Sequence, residues 1–96
     1  MRVHVSYFGH YGLEFQKRSE TIQLSEKATL VDLLRKLAEM YGESFKIYVF
    51  DASNHAVNQN VLLTVNDTSF RRLQGLDTPL NNGDRIAIMP LFSGGG

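Results

Sequence analysis

The sequence predicts an α+β domain, with one sheet and a single long helix packed on one of its faces. Three observations lead there. Short alternating runs lie near both ends of the chain, RVHVSYF at 2–8 and DRIAIMP at 84–90, with the two-residue period of half-buried strands. TLVDLLRKLAEMY at 29–41 carries the three- and four-residue period of an amphipathic helix. A length of 96 residues leaves room for one domain with a small core.

In the first run Val3, Val5 and Tyr7 share a face, and TIQL at 21–24 repeats the pattern through Ile22 and Leu24. Gly9 and Gly12 mark a turn between them. LEFQKRS at 13–19 reads either as loop or as an early start of the second strand. In the helix, Leu30, Leu33 or Leu34, Leu37 and Tyr41 form the stripe that faces a core. Thr29 is the expected N-cap, Asp32 sits near the positive end of the helix dipole, and Gly42 supplies a left-handed C-cap.

Beyond the helix, KIYVF at 46–50 reads as a short strand and DASNHAVNQN at 51–60 as a polar loop. VLLTVN at 61–66 reads as a strand with Leu62 or Leu63 and Val65 inward, and DTSFRRLQGLDTPL at 67–80 as irregular. NNGDRIAIMP at 81–90 is the strongest local signal. A turn on Asn82 and Gly83 leads into a strand carrying Ile86 and Ile88, stopped by Pro90. With a right-handed crossover, the first and last strands lie side by side at the centre of a mixed four- to five-stranded sheet. The expected fold is therefore a β-grasp, or ubiquitin-like, roll. A ferredoxin-like split sheet is the alternative, but it needs a second helix, and no second helical stripe is visible.

Composition narrows the function. Hydrophobic content of 43% with 10% aromatics is globular, and ten Lys plus Arg balance ten Asp plus Glu. A neutral chain has no bulk attraction for nucleic acid or an anionic membrane. MRVHVSYFGHYG lacks the apolar core of a signal peptide and no run spans a bilayer, so a cytoplasmic protein is expected. There is no cysteine, which excludes disulfides, zinc ribbons, iron–sulfur ligation and thiol nucleophiles. Any sulfur chemistry must then use the chain terminus. His4, His10 and His55 have no spacing that suggests a shared metal site, and Arg71 and Arg72 read either as a solvated pair or as contacts for an acidic partner.

The last residues are LFSGGG. Three glycines cannot pack or hold regular structure, so they are either a leftover or a backbone whose carboxylate is the functional group. The expected organisation is a β-grasp domain over 1–91 and a flexible glycine tail over 92–96. Ordering such a tail in a channel costs about 1–2 kcal/mol per residue, and glycine contributes little apolar area to offset it. Leu91 and Phe92 pack either on their own domain or on a partner, and in the second case an apolar patch is expected on the sheet beside the tail, with Phe92 and Met89 at its edge.

VLLTVND followed by TPLNNGDRIAIMPLFSGGG resembles the C-terminal half of the MoaD and ThiS sulfur carriers. There a strand ending in Val-Asn precedes "L-x-x-G-D" and a strand leading to Gly-Gly. Asn66, Leu80, Gly83, Asp84, Pro90, Ser93, Gly94 and Gly95 carry the resemblance, which is closer to the small subunit of molybdopterin synthase than to the shorter thiazole-pathway carrier. Three features depart from it: the insertion FKIYVFDASNHAVNQN, Met89 where another proline is common, and a third glycine.

The resemblance implies a sulfur carrier and not an enzyme. Its terminal glycine carboxylate would be adenylated with ATP by an E1-like adenylating enzyme of the MoeB or ThiF type. A sulfur donor protein would then convert it to a thiocarboxylate, for a large molybdopterin synthase subunit of the MoaE type. Gly96, Gly95 and Gly94 are the expected reacting end, with Gly95 or Gly96 bearing the carboxylate. Leu91, Phe92, Met89 and Pro90 are the expected partner contacts. No bound cofactor or metal is implied. A ubiquitin-like modifier joined to lysines through the same glycine, or a thiazole-pathway sulfur carrier, is the alternative.

Overall fold

Strand β1 (Arg2–Tyr7) and strand β7 (Arg85–Pro90) lie side by side and parallel, with Val5 opposite Ile86 and Tyr7 opposite Ile88. The structure is a computed structural model and describes residues 1–91. β7 also pairs antiparallel with β5 (Val61–Val65), β1 pairs antiparallel with β2 (Ser19–Gln23), and β6 (Thr68–Ser69) closes the other edge. The five-stranded order is β2-β1-β7-β5-β6. This is the expected β-grasp arrangement, with the last strand in the middle.

Helix α2 (Leu30–Tyr41) covers the apolar face of the sheet. Leu30, Leu33, Leu34 and Leu37 are fully buried in one core with Val3, Val5, Val61, Leu63, Ile86 and Ile88. Both leucines left open by the sequence therefore face inward. In the β5 strand it is Leu63 with Val65 that is buried, while Leu62 is only partly covered. At the helix start the Asp32 carboxylate accepts from the Thr29 backbone N–H at 2.8 Å and from its hydroxyl at 3.1 Å. At its end Gly42 adopts φ 65° and ψ −137°, so it is not the left-handed cap expected; it ends α2 in a conformation that strains a side chain and leads directly into the next helix.

Three local expectations are corrected. KIYVF is not a strand, because Glu43–Tyr48 forms helix α3 and only Phe50 enters strand β3 (Phe50–Asp51). Phe45 and Val49, four residues apart, are both fully buried, so tertiary burial at helical spacing overrides the strand preference of Ile47, Tyr48 and Val49. The polar loop holds strand β4 (Ala56–Val57), which pairs with β3 as a separate hairpin. The turn at Gly9 and Gly12 contains a five-residue helix, α1 (His10–Glu14), and β2 starts only at Ser19. Tyr11 and Phe15 anchor that helix in the core. The stretch 67–80 is irregular apart from β6 and two 3₁₀ turns at Phe70–Arg72 and Gly75–Asp77.

An internal carboxylate ties the layers together. Glu20 on β2 accepts from the hydroxyls of Tyr7 and Tyr41, each at 2.5 Å, and from Lys17 Nζ at 3.1 Å. Burial pushes the Glu20 carboxyl up, but the bonds from Tyr41, Tyr7 and Lys17 outweigh it and leave the group below the usual carboxylate range. Burial, followed by the hydrogen bond to Glu20 and then its charge, drives both tyrosine hydroxyls above their ordinary range.

Candidate functional site: the end of the central strand

The chain leaves the sheet from its middle. Pro90 stands opposite Val61 and Met89 opposite Leu62 on β5, and the Leu91 N–H donates to the Asn60 carbonyl at 2.9 Å. On the other side the Phe8 N–H donates to the Ile88 carbonyl at 2.9 Å. Gly9 lies so close that a Cβ built there would stand 2.9 Å from Pro90 Cγ. The root of the tail is thus held on both flanks up to Leu91.

The open face of the sheet is polar over most of its area but apolar at this end. Phe8 is 50% exposed and Leu91 39% exposed, while Leu62, Ala87 and Met89 are partly exposed. Phe8, Ala87 and Met89 line one shallow depression with Ser6, Thr64 and Arg85. Strand alternation explains the grouping, because Tyr7 and Ile88 point to the core and their neighbours Phe8 and Met89 point away from it. An apolar patch is expected at this end of the sheet, and Met89 lies in the one found; the part of the expectation that concerns Phe92 falls outside the described residues. Sequence reasoning missed Phe8, which meets Met89 only because β1 and β7 are parallel neighbours.

Leu91, at the root, is exposed rather than packed in its own core. Phe92, Ser93, Gly94, Gly95 and Gly96 lie outside the described residues.

The remaining residues of the recognised pattern sit at the opposite end of β7 and hold it in place. Asn66 and Asp67 have φ 51° and 71° and form the two-residue turn of the β5–β6 hairpin. The Asn66 side chain donates to Asp84 Oδ1 at 2.9 Å and accepts from the Arg85 N–H at 3.0 Å. Asp84 Oδ2 accepts from the Asn81 N–H at 2.7 Å. Gly83, at φ 87°, donates its N–H to the Arg2 carbonyl at 2.8 Å, while Leu80 is buried beneath the helix start and bonded to Ala28. These side chains splice three strands; they carry no group aimed at a substrate.

The other flagged residues are dispersed. His4 meets Thr21, the His10 ring lies tilted against Tyr11, and His55 lies against Arg35. Among the described residues no group of three or more His, Cys, Asp or Glu is placed to hold a metal ion, and no helix is long and apolar enough to cross a membrane. Arg71 and Arg72 are exposed, with the Arg71 guanidinium 5.1 Å from the centroid of the Phe70 ring.

A roll of this topology, with its central strand running out beside an apolar strip, is a ubiquitin-like domain. The chain belongs to the ThiS family of ubiquitin-like sulfur carriers, whose family model matches residues 5–95. Among solved structures it is similar to the HVO 2177 protein of Haloferax volcanii, at 22% identity and TM-score 0.81, over 98% of this chain and 86% of that one. It is also similar to SAMP1 of Haloferax volcanii, at 18% identity and TM-score 0.79, over 98% and 99% of the two chains. The molybdopterin converting factor subunit 1 of Pyrococcus furiosus matches at 26% identity and TM-score 0.72, over 96% and 99%. No curated protein matches the chain by sequence.

Proposed function

We propose that the protein carries sulfur on its terminal glycine as the small subunit of a molybdopterin synthase. The observation that carries this reading is the end of β7, where a strand held on both flanks finishes at Pro90 among Phe8, Met89 and Leu91, each at least partly exposed. Membership in the ThiS family and the likeness to the Pyrococcus furiosus protein support the pathway.

The chemistry follows from the carboxylate. As a free anion it resists attack because its leaving group is an oxide. The Gly96 carboxylate attacks the α-phosphorus of ATP on an E1-like adenylating enzyme, which releases pyrophosphate and leaves an acyl adenylate. Hydrosulfide delivered by a donor protein attacks the carbonyl carbon and expels AMP, which leaves the thiocarboxylate. The protein is the substrate of these steps and its partners hold the catalytic groups. Gly94 and Gly95 enter a narrow channel without side-chain collision. Leu91, Phe92 and the Met89 and Pro90 edge give the partner its apolar contacts. A large synthase subunit then receives the sulfur.

Incubation with its adenylating enzyme, ATP and a sulfur donor tests this. Intact mass rises by the difference between sulfur and oxygen. Removing Gly96 abolishes the product if that residue bears the carboxylate, and retains it if Gly95 suffices. Phe92→Ala leaves folding intact and weakens enzyme binding. If the activated carboxylate is attacked by a lysine instead, an isopeptide conjugate forms and the protein is a modifier. No thiocarboxylate and no conjugate under these conditions refutes both.

A further inference from the structure

A groove of about 660 Å³ lies between the end of β1, helix α1 and the start of β2. Its floor includes Gly12, where a Cβ would stand 3.3 Å from the Tyr7 carbonyl and 3.4 Å from that of Lys17. A side chain there would be crowded by two backbone oxygens, so the floor stays low. Phe8 and Leu13 form its apolar surface, and Leu13 is 83% exposed. That exposure is built in, because Tyr11 and Phe15 on the same short segment are buried and hold α1 down.

Charge in the groove has one sign. Lys17 and Arg18 line it and no acidic side chain does. Lys17 is paired with Glu20, which lies toward the core with the two tyrosines. The Arg18 guanidinium has no acidic partner among the described residues. An uncompensated cation beside a fixed apolar side chain selects a ligand that combines a carboxylate with an apolar anchor.

We propose that this groove binds a peptide segment of a partner protein that carries carboxylates next to a large apolar residue. The apolar residue seats against Phe8 and Leu13, and a carboxylate pairs with Arg18. Phe8 belongs both to this groove and to the strip at the root of the tail, so the segment extends a footprint that begins there. The proposal concerns recognition alone and holds whether or not the terminus carries sulfur.

The test is an amide NMR titration of the full chain with the blocked peptide EELFE and its counterpart KKLFK. EELFE shifts the signals of Phe8, Leu13, Arg18 and Ser19 and binds more weakly as salt is raised. Arg18→Glu weakens it by about tenfold or more, and Leu13→Ser weakens it without changing the melting temperature of the domain. Equal binding of KKLFK, no binding of EELFE at millimolar concentration, or shifts centred elsewhere overturns the proposal. Shifts of the same residues on concentrating the protein alone would assign the groove to a second copy. Shifts on removing residues 92–96 would assign it to the chain's own tail, and either result overturns the proposal too.

Discussion

The Asn66 side-chain amide donates to the Asp84 carboxylate at 2.9 Å, joining the β5–β6 turn to the first residue before β7. The bond acts with the Asn81 N–H, which holds the other oxygen of the same carboxylate. Hydrogen bonds to a charged group contribute about 1.5–3 kcal/mol. Asp84→Ala is therefore expected to cost about 1–3 kcal/mol in urea unfolding. Asp84→Asn should recover part of it. Thiocarboxylate formation per folded molecule should be unchanged, because the splice lies at the end of β7 away from the tail.

Leu37 is fully buried between the helix and the sheet. Leu37→Ala removes it from a small core and should destabilise the domain by about 2–5 kcal/mol. Met40, on the same helix, is 46% exposed, and Met40→Ala is the matched control with little change. Equal effects of the two would contradict the orientation of α2.

The Glu20 carboxylate gives stability a pH dependence of known sign. Its folded pKa is depressed, so its contribution is present above the unfolded value of about 4.3 and is lost as pH falls through the folded one. The melting temperature should drop on acidification below about pH 5, and Glu20→Gln should be less stable at neutral pH with a flatter acid limb. The raised tyrosine values act at the other extreme. Stability should also fall above about pH 10, and Tyr41→Phe should lessen that fall.

Gly9 and Gly42 share nearly the same positive φ but differ in surroundings. At Gly42 nothing lies within 4 Å of an added Cβ, whereas at Gly9 the Pro90 ring does at 2.9 Å. Gly42→Ala should cost about 1–3 kcal/mol, the backbone term alone, because φ 65° with ψ −137° is a conformation that side chains rarely adopt. Gly9→Ala should cost more and should also slow adenylation, since it pushes on the root of the tail. Equal losses in both variants would show that the Pro90 contact is without consequence.

Phe8→Ala removes an exposed ring from the strip beside Met89. Its melting temperature should stay within a degree or two of the parent, since surface substitutions usually lie within about 0.5 kcal/mol. Binding to the adenylating enzyme, measured by calorimetry, should weaken by about tenfold or more. A large stability loss with unaltered binding would place Phe8 in the core.

The elements legible in the sequence were those whose signal resides in their own side chains. Helix α2 shows its stripe from Leu30 to Leu37, and β7 shows Ile86 and Ile88 after an Asn-Gly turn. Helix α3 was hidden because its cause is tertiary. Phe45 packs on Phe15, at 5.6 Å between ring centroids, and Gly42 starts a new helix where it ends the old one. Helix α1 is too short to show a period, although Tyr11 and Phe15, four residues apart, were an available clue. At the site, the outward direction of Met89 was readable from strand alternation alone. Phe8 was not, because its place beside Met89 depends on pairing between opposite ends of the chain.

That pairing also governs when the domain comes into being. Val5 is joined to Ile86 across almost the whole length of the chain, a separation that makes closure slow relative to local hairpins. During synthesis the segments of β1–β2 and β5–β6 are made first, and the place between them in the sheet is filled only when Arg85–Pro90 follows. A nascent or broken chain that stops short of Arg85 lacks the centre of its sheet and everything beyond it. Any partner that meets the segment after Pro90 therefore meets it attached to a chain that already contains every strand needed to fold.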